Sequence, residues 1–486
     1  MHETREWPIE AVLLHSNDIH SRLENAARMA TFIAEERRMF GSDRVLVVDI
    51  GDHMDRMRAE TEGSDGMVNV ELLRAAGYEV ITLGNNEGLT YEADTLEAAY
   101  QYCAGFAVVV ANMRRTADQE QPAWMLPSTI IRKGQLRIGI IGVTAQFSDF
   151  YTLLGWDVTD PLQATAKQAA QIRPHVDVVV VLSHLGLPFD RMMAEQVPGV
   201  DLILGGHTHH LLEEPLVIGN TTICAAGKFG EQMGRIEIGR DPVTGAPQFR
   251  ASCVPVAAFE EHEAAVGILN RYRESAQRKL DRVIVQLETA LPVRNDQESL
   301  LPNLLAAGIR RWTDTEIGIV NSGQLLAGLA VGDVTAGELH AICPSPINPC
   351  RMRLQGVHIK AALEQSLTHE FIEKAIRGFG FRGVTLGTLA VDGMAIEVEP
   401  DRAGEWAIAA IYVGDQLLVE EREYEVGTLD MFTFGVGYES LKLGSDIQYF
   451  LPEFIRDVLA HELQSKDAIE AASKNRWRQR KGKAAT

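Results

Sequence analysis

The stretch AVLLHSNDIH, residues 11–20, decides the fold of this chain. It opens with a short apolar run and ends in a polar cluster that contains Asp18 and His20. A short apolar run bounded by polar residues predicts a strand that is buried inside a sheet. Because open α/β sheets place ligands just beyond the carboxyl ends of their strands, the stretch predicts both a strand and a functional site.

The same pattern continues to about residue 255, where apolar runs alternate with segments of helical spacing. The predicted strands are AVLLH (11–15), VLVVDI (45–50), YEVITL (78–83), FAVVVAN (106–112), LRIGIIGV (136–143), DVVVVLS (177–183) and VDLILG (200–205). The predicted helices between them cover 24–38, 67–77, 94–103 and 161–172. This alternation predicts an α/β-layered domain.

At 486 residues the chain is too long for one ordinary core, so we expect two domains. A charged segment around residues 259–283 predicts a connecting helix. After it, the pattern of predicted strands and helices changes. The expected limits are 1–257 for the layered domain, 258–285 for the linking helix, 286–455 for an α+β domain and 456–486 for a helical, basic tail. We expect the tail from Lys474 onward to be a solvated end.

Composition narrows the class of protein. The formal charge of −21 argues against a general affinity for nucleic acid, whose phosphates are bound by basic surfaces. No run approaches the roughly 18 apolar residues of a membrane helix, and the N-terminus lacks the apolar region of a secretory signal. The chain has few cysteines, odd in number and without zinc-site spacing, which together favour the cytoplasm. They are Cys103, Cys224, Cys253, Cys343 and Cys350.

Metal-capable side chains follow five of the predicted strands. They are Asp18 and His20, Asp52, Asn85, His184, and His207 with His209. A carboxylate such as Asp52 can bridge two divalent ions, and neutral imidazoles fill further positions without adding charge. One such motif alone is more often a turn with a hydrogen-bonded histidine, but five in one domain, each after a strand, predict a two-metal site.

These motifs, NDIH, GDH, GNNE, SHLG and GGHTH, resemble those of the two-domain 5'-nucleotidases, which are calcineurin-like metallophosphoesterases. In the second half, NSGQL (321–325), GDVT (332–335) and the segment around Asn348 are similar to the substrate domain of that family. The resemblance covers most of the chain. It implies that Asp18, His20 and His209 hold one divalent ion (Mn, Zn or similar), that Asn85, His184 and His207 hold the other, and that Asp52 lies between them.

Asn86 departs from the family pattern. The resemblance implies a histidine at this position, with an aspartate shortly after it, and the pair stabilises charge on the transferred phosphoryl group. Here Asn86 is followed by Glu87, Gly88 and Leu89. An amide can donate a hydrogen bond but cannot carry positive charge, which costs on the order of 100-fold to 1000-fold in rate. His53 or His210 could replace the imidazole in space, although each is more simply a surface histidine.

The substrate domain also departs from the family. Leu326 stands where an arginine is usual, Pro346 where an aromatic ring is usual, and Val436 where an aspartate is usual. The resemblance implies that two rings clamp a nucleobase, and either Phe432 or Phe434 could supply one of them or belong to the core. The further candidates for substrate binding are Asn321, Gly323, Asn348, Arg351, Arg353 and Arg382.

Three functional hypotheses follow. The first is a metal-dependent phosphoester hydrolase that acts on a nucleotide-like compound through a metal-activated water, with Asp52 and Asn86 at the reacting centre. The second keeps this chemistry but replaces the nucleotide with another phosphorylated metabolite. The third, motivated by Asn86, is a protein that binds metal and ligand with little turnover.

Overall fold

The computed structural model describes residues 7–102, 105–401 and 404–480, except for the side chain of Tyr102. Cys103 and the last six residues of the basic tail therefore lie outside the described residues. The chain divides into two compact units, Met1–Gln277 and Arg278–Thr486. In the described part of the chain, every helix is too short or too polar to cross a lipid bilayer.

The first unit contains strands β1 to β15. They are β1 Ala11–Ser16, β2 Val45–Asp49, β3 Val80–Ile81, β4 Ala107–Val109, β5 Met113–Arg115, β6 Met125–Leu126, β7 Ser128–Lys133, β8 Leu136–Thr144, β9 Trp156–Val158, β10 Val178–His184, β11 Leu202–Gly205, β12 Leu216–Ile218, β13 Thr221–Cys224, β14 Gln232–Arg240 and β15 Pro247–Pro255. Its helices are α1 Leu23–Phe40, α2 Ala59–Gly63, α3 Met67–Ala76, α4 Asn85–Thr90, α5 Ala93–Tyr102, α6 Ser148–Leu153, α7 Pro161–Ile172, α8 Leu187–Gln196 and α9 Glu263–Leu280.

Two sheets form the centre of the first unit. The seven-stranded sheet has the order β15-β14-β1-β2-β3-β4-β6, and the six-stranded sheet has the order β12-β13-β11-β10-β8-β7. β1, β2 and β3 are parallel neighbours in the first sheet, and β8, β10 and β11 are parallel neighbours in the second. Parallel strands end at the same edge of a sheet, so the predicted polar clusters share that edge within each sheet.

Successive side chains of a strand point to opposite faces of its sheet, and this alternation explains how the layers of the first unit pack. In β10, Val178, Val180 and Leu182 join a core that contains residues of both sheets, such as Leu13 and Leu46. The alternate residues of β10 face a second core that includes Ala169 of α7 and Met193 of α8. Both faces of the strand are thus buried, which is why the sequence reads as a continuous apolar run.

The seven strands predicted in the first half are present, although some are shorter than expected. The sequence 78–83 forms only the two residues of β3, because the chain then turns into α4. The short strands β5, β6 and β9, the antiparallel strands β7, β12, β14 and β15, and β13, which is parallel to β11, were not predicted. The predicted helices correspond to α1, α3, α5 and α7, and the connecting helix to α9.

The second unit contains eleven described strands and seven described helices. The strands are β16 Val283–Leu287, β17 Ile317–Asn321, β18 Gly332–Thr335, β19 Pro349–Gln355, β20 Leu389–Asp392, β21 Met394–Pro400, β22 Trp406–Val413, β23 Gln416–Leu417, β24 Glu423–Leu429, β25 Ser445–Tyr449 and β26 Trp477–Gln479. The helices are α10 Leu300–Trp312, α11 Ala336–Ile342, α12 Gly356–Ser366, α13 His369–Ile372, α14 Asp430–Thr433, α15 Ile455–Leu463 and α16 Lys466–Ala472.

A five-stranded mixed sheet of order β20-β17-β24-β19-β25 organises the second unit. α10 packs on it, because its apolar residues Leu301, Leu304 and Leu305 join the same core as the sheet. β17 and β24 are parallel, whereas β19 and β20 run antiparallel to them. The carboxyl ends of β17 and β24 therefore meet the amino ends of β19 and β20 at one edge.

Residues 474–480 are not a frayed end, in contrast to the expectation from the sequence. Trp477 pairs with Ile396 where β26 joins β21 in parallel. The buried guanidinium of Arg476 donates to Asp392 Oδ1 at 2.8 Å. A paired strand and a buried ion pair hold this segment in the second unit, and neither can be inferred from a run of basic residues.

Candidate metal centre

The structure brings all seven predicted metal-binding side chains together in the first unit. Asp18 and His20 follow β1, Asp52 follows β2, and Asn85 begins α4 after β3. The remaining three come from the second sheet, where His184 is the last residue of β10 and His207 and His209 follow β11. The site therefore lies where the carboxyl ends of parallel strands from both sheets meet.

One group of side chains surrounds Asp18. Asp18, His20 and His209 each offer an atom within 4.8 Å of the others. His20 Nε2 is 3.1 Å from His209 Nε2 and 3.8 Å from Asp18 Oδ1, and His209 Nε2 is 3.5 Å from that same oxygen. This is the set that the resemblance implies for one ion.

A second group surrounds Asp52. His184 Nε2 is 3.4 Å from Asp52 Oδ1 and 3.3 Å from Asn85 Oδ1, and His207 Nδ1 is 2.8 Å from the same Asn85 oxygen. The other carboxylate oxygen of Asp52 lies 3.9 Å from His20 Nε2. Asp52 thus faces the first group with one oxygen and the second group with the other.

The donor set fits divalent cations. Ligands at about 2.1 Å from a metal ion lie about 3.0 to 3.5 Å from one another, close to the distances between these atoms. Asp18 and Asp52 are both buried, and a divalent cation between them would compensate the charge of two ionised carboxylates. Nitrogen and oxygen donors of this mixture suit Zn, Mn and related ions.

The pKa values of these groups reflect the close packing of carboxylates and imidazoles. Burial alone would raise the pKa of Asp52, but the imidazoles of His184 and His20 lower that pKa below its usual range. Burial lowers the pKa of His184 and the carboxylates of Asp52 and Asp18 raise it, with a net value of about 10. Burial and the neighbouring His184 lower the pKa of His207 to about 4.

The backbone is strained where it presents these side chains. Asp18, His20, Asp52, His207 and His209 have positive φ angles between 46° and 71°, a region that side chains with a Cβ rarely adopt. Such residues cost on the order of 1 to 3 kcal/mol each and cluster at functional sites. The strain shows that the loops are shaped for the site and not for local backbone preference.

Glu87 ties two of the loops together. Its Oε2 accepts hydrogen bonds from the backbone N–H groups of Asp52 (2.9 Å) and Gly84 (2.8 Å), and its Oε1 accepts one from Met54 (2.8 Å). The carboxylate is fully buried, and burial raises its pKa. One side chain therefore fixes the loop of Asp52 relative to the loop of Asn85.

Asn86 lies beside the first group. Its backbone N–H donates to Asp52 Oδ1 at 2.7 Å, and its amide nitrogen donates to the carbonyl of Met54 at 2.9 Å. The same amide nitrogen lies 2.9 Å from His20 Nδ1. Asn86 thus contacts the rear of a predicted metal ligand, in addition to any contact with substrate.

His53 is not a surface histidine. It is 1% exposed, its Nδ1 lies 3.0 Å from Asp49 Oδ1, and its Nε2 lies 2.8 Å from the hydroxyl of Tyr100. His210 is exposed, and its Nδ1 lies 2.8 Å from the hydroxyl of Thr208. Because the ring of His53 is held on both sides, it cannot turn to replace the missing family imidazole without breaking these contacts.

Two aromatic rings that the sequence reasoning missed border the site. The Phe229 ring centroid is 5.8 Å from that of His20, and the Phe147 ring centroid is 5.9 Å from that of His207. Neither lies in a recognised motif. The only sequence signal near Phe229 is the pair of glycines that flank it in GKFG, residues 227–230.

Three of the predicted substrate residues of the second unit lie at one edge of its five-stranded sheet. Asn321 ends β17 and donates from Nδ2 to the carbonyl of Leu386 at 2.7 Å. A Cβ on Gly323 would lie 1.9 Å from the carbonyl oxygen of Thr385, so only glycine fits this close approach. Asn348 precedes β19, where Nδ2 donates to the carbonyl of Glu453 at 2.8 Å.

The arginine candidates differ in their surroundings. Arg351 is partly buried within β19, opposite Gly427 of β24. Arg353, two residues further along the strand, forms an ion pair with Asp446 at 3.2 Å. Arg382 lies in the loop before β20, where its backbone N–H donates to Ser345 Oγ at 3.1 Å.

The two predicted aromatic candidates have different environments. Phe432 is fully buried in α14, and its ring packs against Tyr438 with centroids 5.8 Å apart. Phe434 is 38% exposed and stacks on Phe379, with centroids 5.7 Å apart. Phe379 is 58% exposed and has a φ of 53°, and the sequence reasoning did not find it. Phe379 and Phe434 form the exposed ring pair at this sheet edge.

Comparison with known proteins agrees with this architecture. Residues 11–211 match the family described as calcineurin-like phosphoesterase, and residues 281–442 match the 5'-nucleotidase C-terminal domain. The uncharacterised metallophosphoesterase YunD of Bacillus subtilis (strain 168) is 36% identical over 93% of this chain and 98% of its own length.

Two solved structures share the fold. A 5'-nucleotidase precursor from Thermus thermophilus has a TM-score of 0.60 at 23% identity, covering 96% of this chain and 99% of that one. A 5'-nucleotidase of Staphylococcus aureus described as putative has a TM-score of 0.69 at 14% identity, covering 97% of this chain and all of the other.

The chain belongs to the calcineurin-like metallophosphoesterases that carry a 5'-nucleotidase C-terminal domain. This family consists of phosphoric ester hydrolases that use divalent metals. The family and the two-domain fold class predicted from the motifs are thereby confirmed.

Proposed function

We propose that this protein removes a phosphate group from a nucleotide-like phosphoester at a site that holds two divalent ions. The observation that carries the proposal is the convergence of seven side chains from five strand ends, with Asp52 facing both groups. In the proposed division, Asp18, His20 and His209 hold one ion, Asn85, His184 and His207 hold the other, and Asp52 contacts both.

Bound divalent ions would supply Lewis acidity to the phosphoryl oxygens and would lower the pKa of the attacking water. The chain's own residues position these groups. Glu87 and the strained loops hold Asp52 and Asn85 in place before substrate arrives, which reduces the reorganisation needed for reaction. The amide of Asn86 donates to the carbonyl of Met54, which ties α4 to the loop of Asp52, and it lies beside the reacting centre.

A nucleotide-like substrate is supported by the exposed Phe379 and Phe434 ring pair. Base stacking on aromatic rings contributes about 1 to 3 kcal/mol per base, and both rings are exposed to receive one. Phe432 contributes to the core instead, because it is fully buried. Asn321, Gly323, Asn348, Arg351 and Arg382 remain the proposed polar contacts to the substrate.

A non-nucleotide phosphorylated metabolite is the second candidate. The observation that favours it is the loss of one family ring at Pro346 together with the burial of Phe432.

We place the protein in the cytoplasm, where it would take part in nucleotide catabolism. The four described cysteines support this location, since each is a free thiol.

The test is phosphate release from a panel of nucleotides, sugar phosphates and a chromogenic aryl phosphate, with Mn, Zn or Co added. We expect nucleotide turnover that falls at least 1000-fold in Asp52→Asn, while Asp94→Asn on the exposed face of α5 keeps wild-type activity. Turnover of sugar phosphates alone would favour the second candidate. No release from any compound, despite two bound ions per chain, would show a protein that binds without turnover.

A further inference from the structure

Two positively charged side chains lie against one aromatic ring beside the candidate metal centre. The ring centroid of Phe229 is 5.8 Å from that of His20 and 6.5 Å from that of His209. Arg22 Cζ lies 4.7 Å from the same centroid, and Lys228 Nζ lies 4.6 Å from it. The Phe229 ring therefore contacts both cations and both histidines, and the two histidines are assigned to the same ion.

The position of this ring is built into the backbone. Phe229 has a φ of 60°, which is unfavourable for a residue with a Cβ. Its N–H donates to the carbonyl of Asp18 at 2.7 Å, and its carbonyl accepts from Asn25 Nδ2 at 2.8 Å. Phe229 is thus tied to the loop that carries the first metal-binding motif and to α1, the helix that follows it.

The two cations lack an anionic partner. Within residues 7–102, 105–401 and 404–480, neither Arg22 nor Lys228 has a carboxylate within 4.0 Å of its charged group. Nearby Arg58, by contrast, binds both Glu24 and Glu60 at 2.6 Å. In a chain with a net charge of −21, two unpaired cations at the edge of the catalytic centre form a local positive field that favours an anion.

We propose that Arg22, Lys228 and Phe229 form a subsite for a second anionic group of the substrate, such as the inner phosphate of a nucleoside 5'-diphosphate. The proposal rests on the proposed function, because it assumes that the phosphate to be released binds at the metal centre. A guanidinium binds phosphate through two parallel hydrogen bonds, and an ammonium adds a point charge. The subsite would then select diphosphates over monophosphates.

The experiment compares kcat/KM for a nucleoside 5'-diphosphate with that for the 5'-monophosphate of the same base. We expect the ratio of the two values to fall about tenfold in Arg22→Gln and in Lys228→Gln, as for loss of a hydrogen bond to a charged group. Arg250→Gln removes another stacked cation of the first unit, whose Cζ is 5.2 Å from the Trp7 ring, and Lys167→Gln removes an exposed charge on α7. Both controls should keep the wild-type ratio.

A ratio that stays constant in both subsite variants, or that falls equally in the controls, would overturn the proposal. Calorimetry on the metal-loaded full chain separates this failure from failure of the proposed function. A methylene-bridged nucleoside diphosphate should bind more tightly than the monophosphate, and this preference should weaken in Arg22→Gln and Lys228→Gln. If the preference is present without any turnover, the subsite stands and the hydrolase proposal fails; if turnover is present without the preference, the reverse holds.

Discussion

At the residue scale, Asn86 departs from the motif that the family resemblance implies, and its side chain has a structural contact of its own. Its amide nitrogen donates to the carbonyl of Met54 at 2.9 Å, so the residue ties α4 to the loop that carries Asp52. Partners of this kind typically contribute 10-fold to 100-fold in metal affinity or activity. A family histidine at this position would add positive charge, which the amide cannot supply.

Two variants of Asn86 separate the roles. Asn86→His should keep two bound ions and preserve or raise kcat, because an imidazole can stabilise charge on the phosphoryl group. Asn86→Ala should weaken metal binding about tenfold, because the loop of Asp52 loses its hydrogen bond to α4. Metal content by elemental analysis and kcat by phosphate release are the measurements. Loss of an ion from Asn86→His would show that Asn86 is itself a ligand.

Glu87 is a positioning residue because its carboxylate accepts hydrogen bonds from three backbone N–H groups in the two loops that present Asp52 and Asn85. Glu87→Gln leaves one oxygen and places an amide N–H₂ against a backbone donor. We expect a loss of about 1 to 3 kcal/mol in the free energy of unfolding, together with weaker metal binding. Urea unfolding and metal titration check this. Glu274→Gln, on the exposed face of α9, is the control, and equal behaviour of the two variants would contradict the role assigned to Glu87.

At the scale of elements, the turn between β3 and α4 depends on the small size of Gly84. Its φ of −95° is ordinary, so space and not backbone strain decides which residue fits. A Cβ there would lie 2.1 Å from Asp52 Oδ1 and 2.7 Å from His184 Cε1. Gly84→Ala should therefore displace both side chains and lower kcat/KM about 100-fold or more. Gly267→Ala on α9, where a Cβ meets nothing within 4 Å, should keep full activity. Steady-state kinetics with metal analysis measures both.

The sheet edge of the second unit should carry a pH-dependent stability. Asp430 follows β24, where Oδ2 accepts the N–H of Asn348 at 3.1 Å and burial raises the carboxyl pKa to about 7 from its usual 3.8. Because the folded-state pKa is the higher one, the stabilisation is fully present below about pH 4 and is lost as pH rises to about 7. The slope is at most about 1.4 kcal/mol per pH unit.

Asp430→Asn removes this titration, so its stability should change less between pH 4 and pH 7 than that of the wild type. The measurement is the urea midpoint at several pH values in that range. Asp415→Asn, in the exposed turn after β22, keeps Asp430 and should follow the wild-type curve. Parallel curves for the wild type and Asp430→Asn would show that this carboxyl does not titrate as its burial implies.

Local patterns predicted those elements whose burial is visible in the sequence. The strands β1, β2, β8 and β10 are apolar on both faces, and their ends locate Asp18, Asp52 and His184. The short helix α4 was not predicted, because it begins inside a metal motif and contains a glycine. Glu87, Phe229 and Phe379 acquire their meaning only from contacts between distant segments, which no spacing along the chain reveals. Even so, the seven side chains predicted from the motifs lie close together in the first unit.

At the scale of the whole molecule, the candidate centre joins segments that are far apart in the chain. Asp18 and His209 are almost two hundred residues apart, yet their ligand atoms lie 3.5 Å from each other. The folded protein holds two buried carboxylates together there, and the unfolded chain does not. Metal ions that bind only the folded form would therefore stabilise it in proportion to the logarithm of their concentration.

We expect Mn or Zn at about 100 times its dissociation constant to stabilise the first unit by about 2.7 kcal/mol, which raises its Tm by roughly 5 to 10 °C. Calorimetry with and without a chelator measures the shift. With a net charge of −21, any cation can stabilise the chain by screening the repulsion between its negative charges. Sodium chloride of equal ionic strength is therefore the reference for the shift. The specific shift should vanish in Asp52→Asn and persist in Asp430→Asn, whose change lies in the other unit. Equal shifts with sodium and with the divalent ion would mean that charge screening, and not a built metal centre, stabilises the fold.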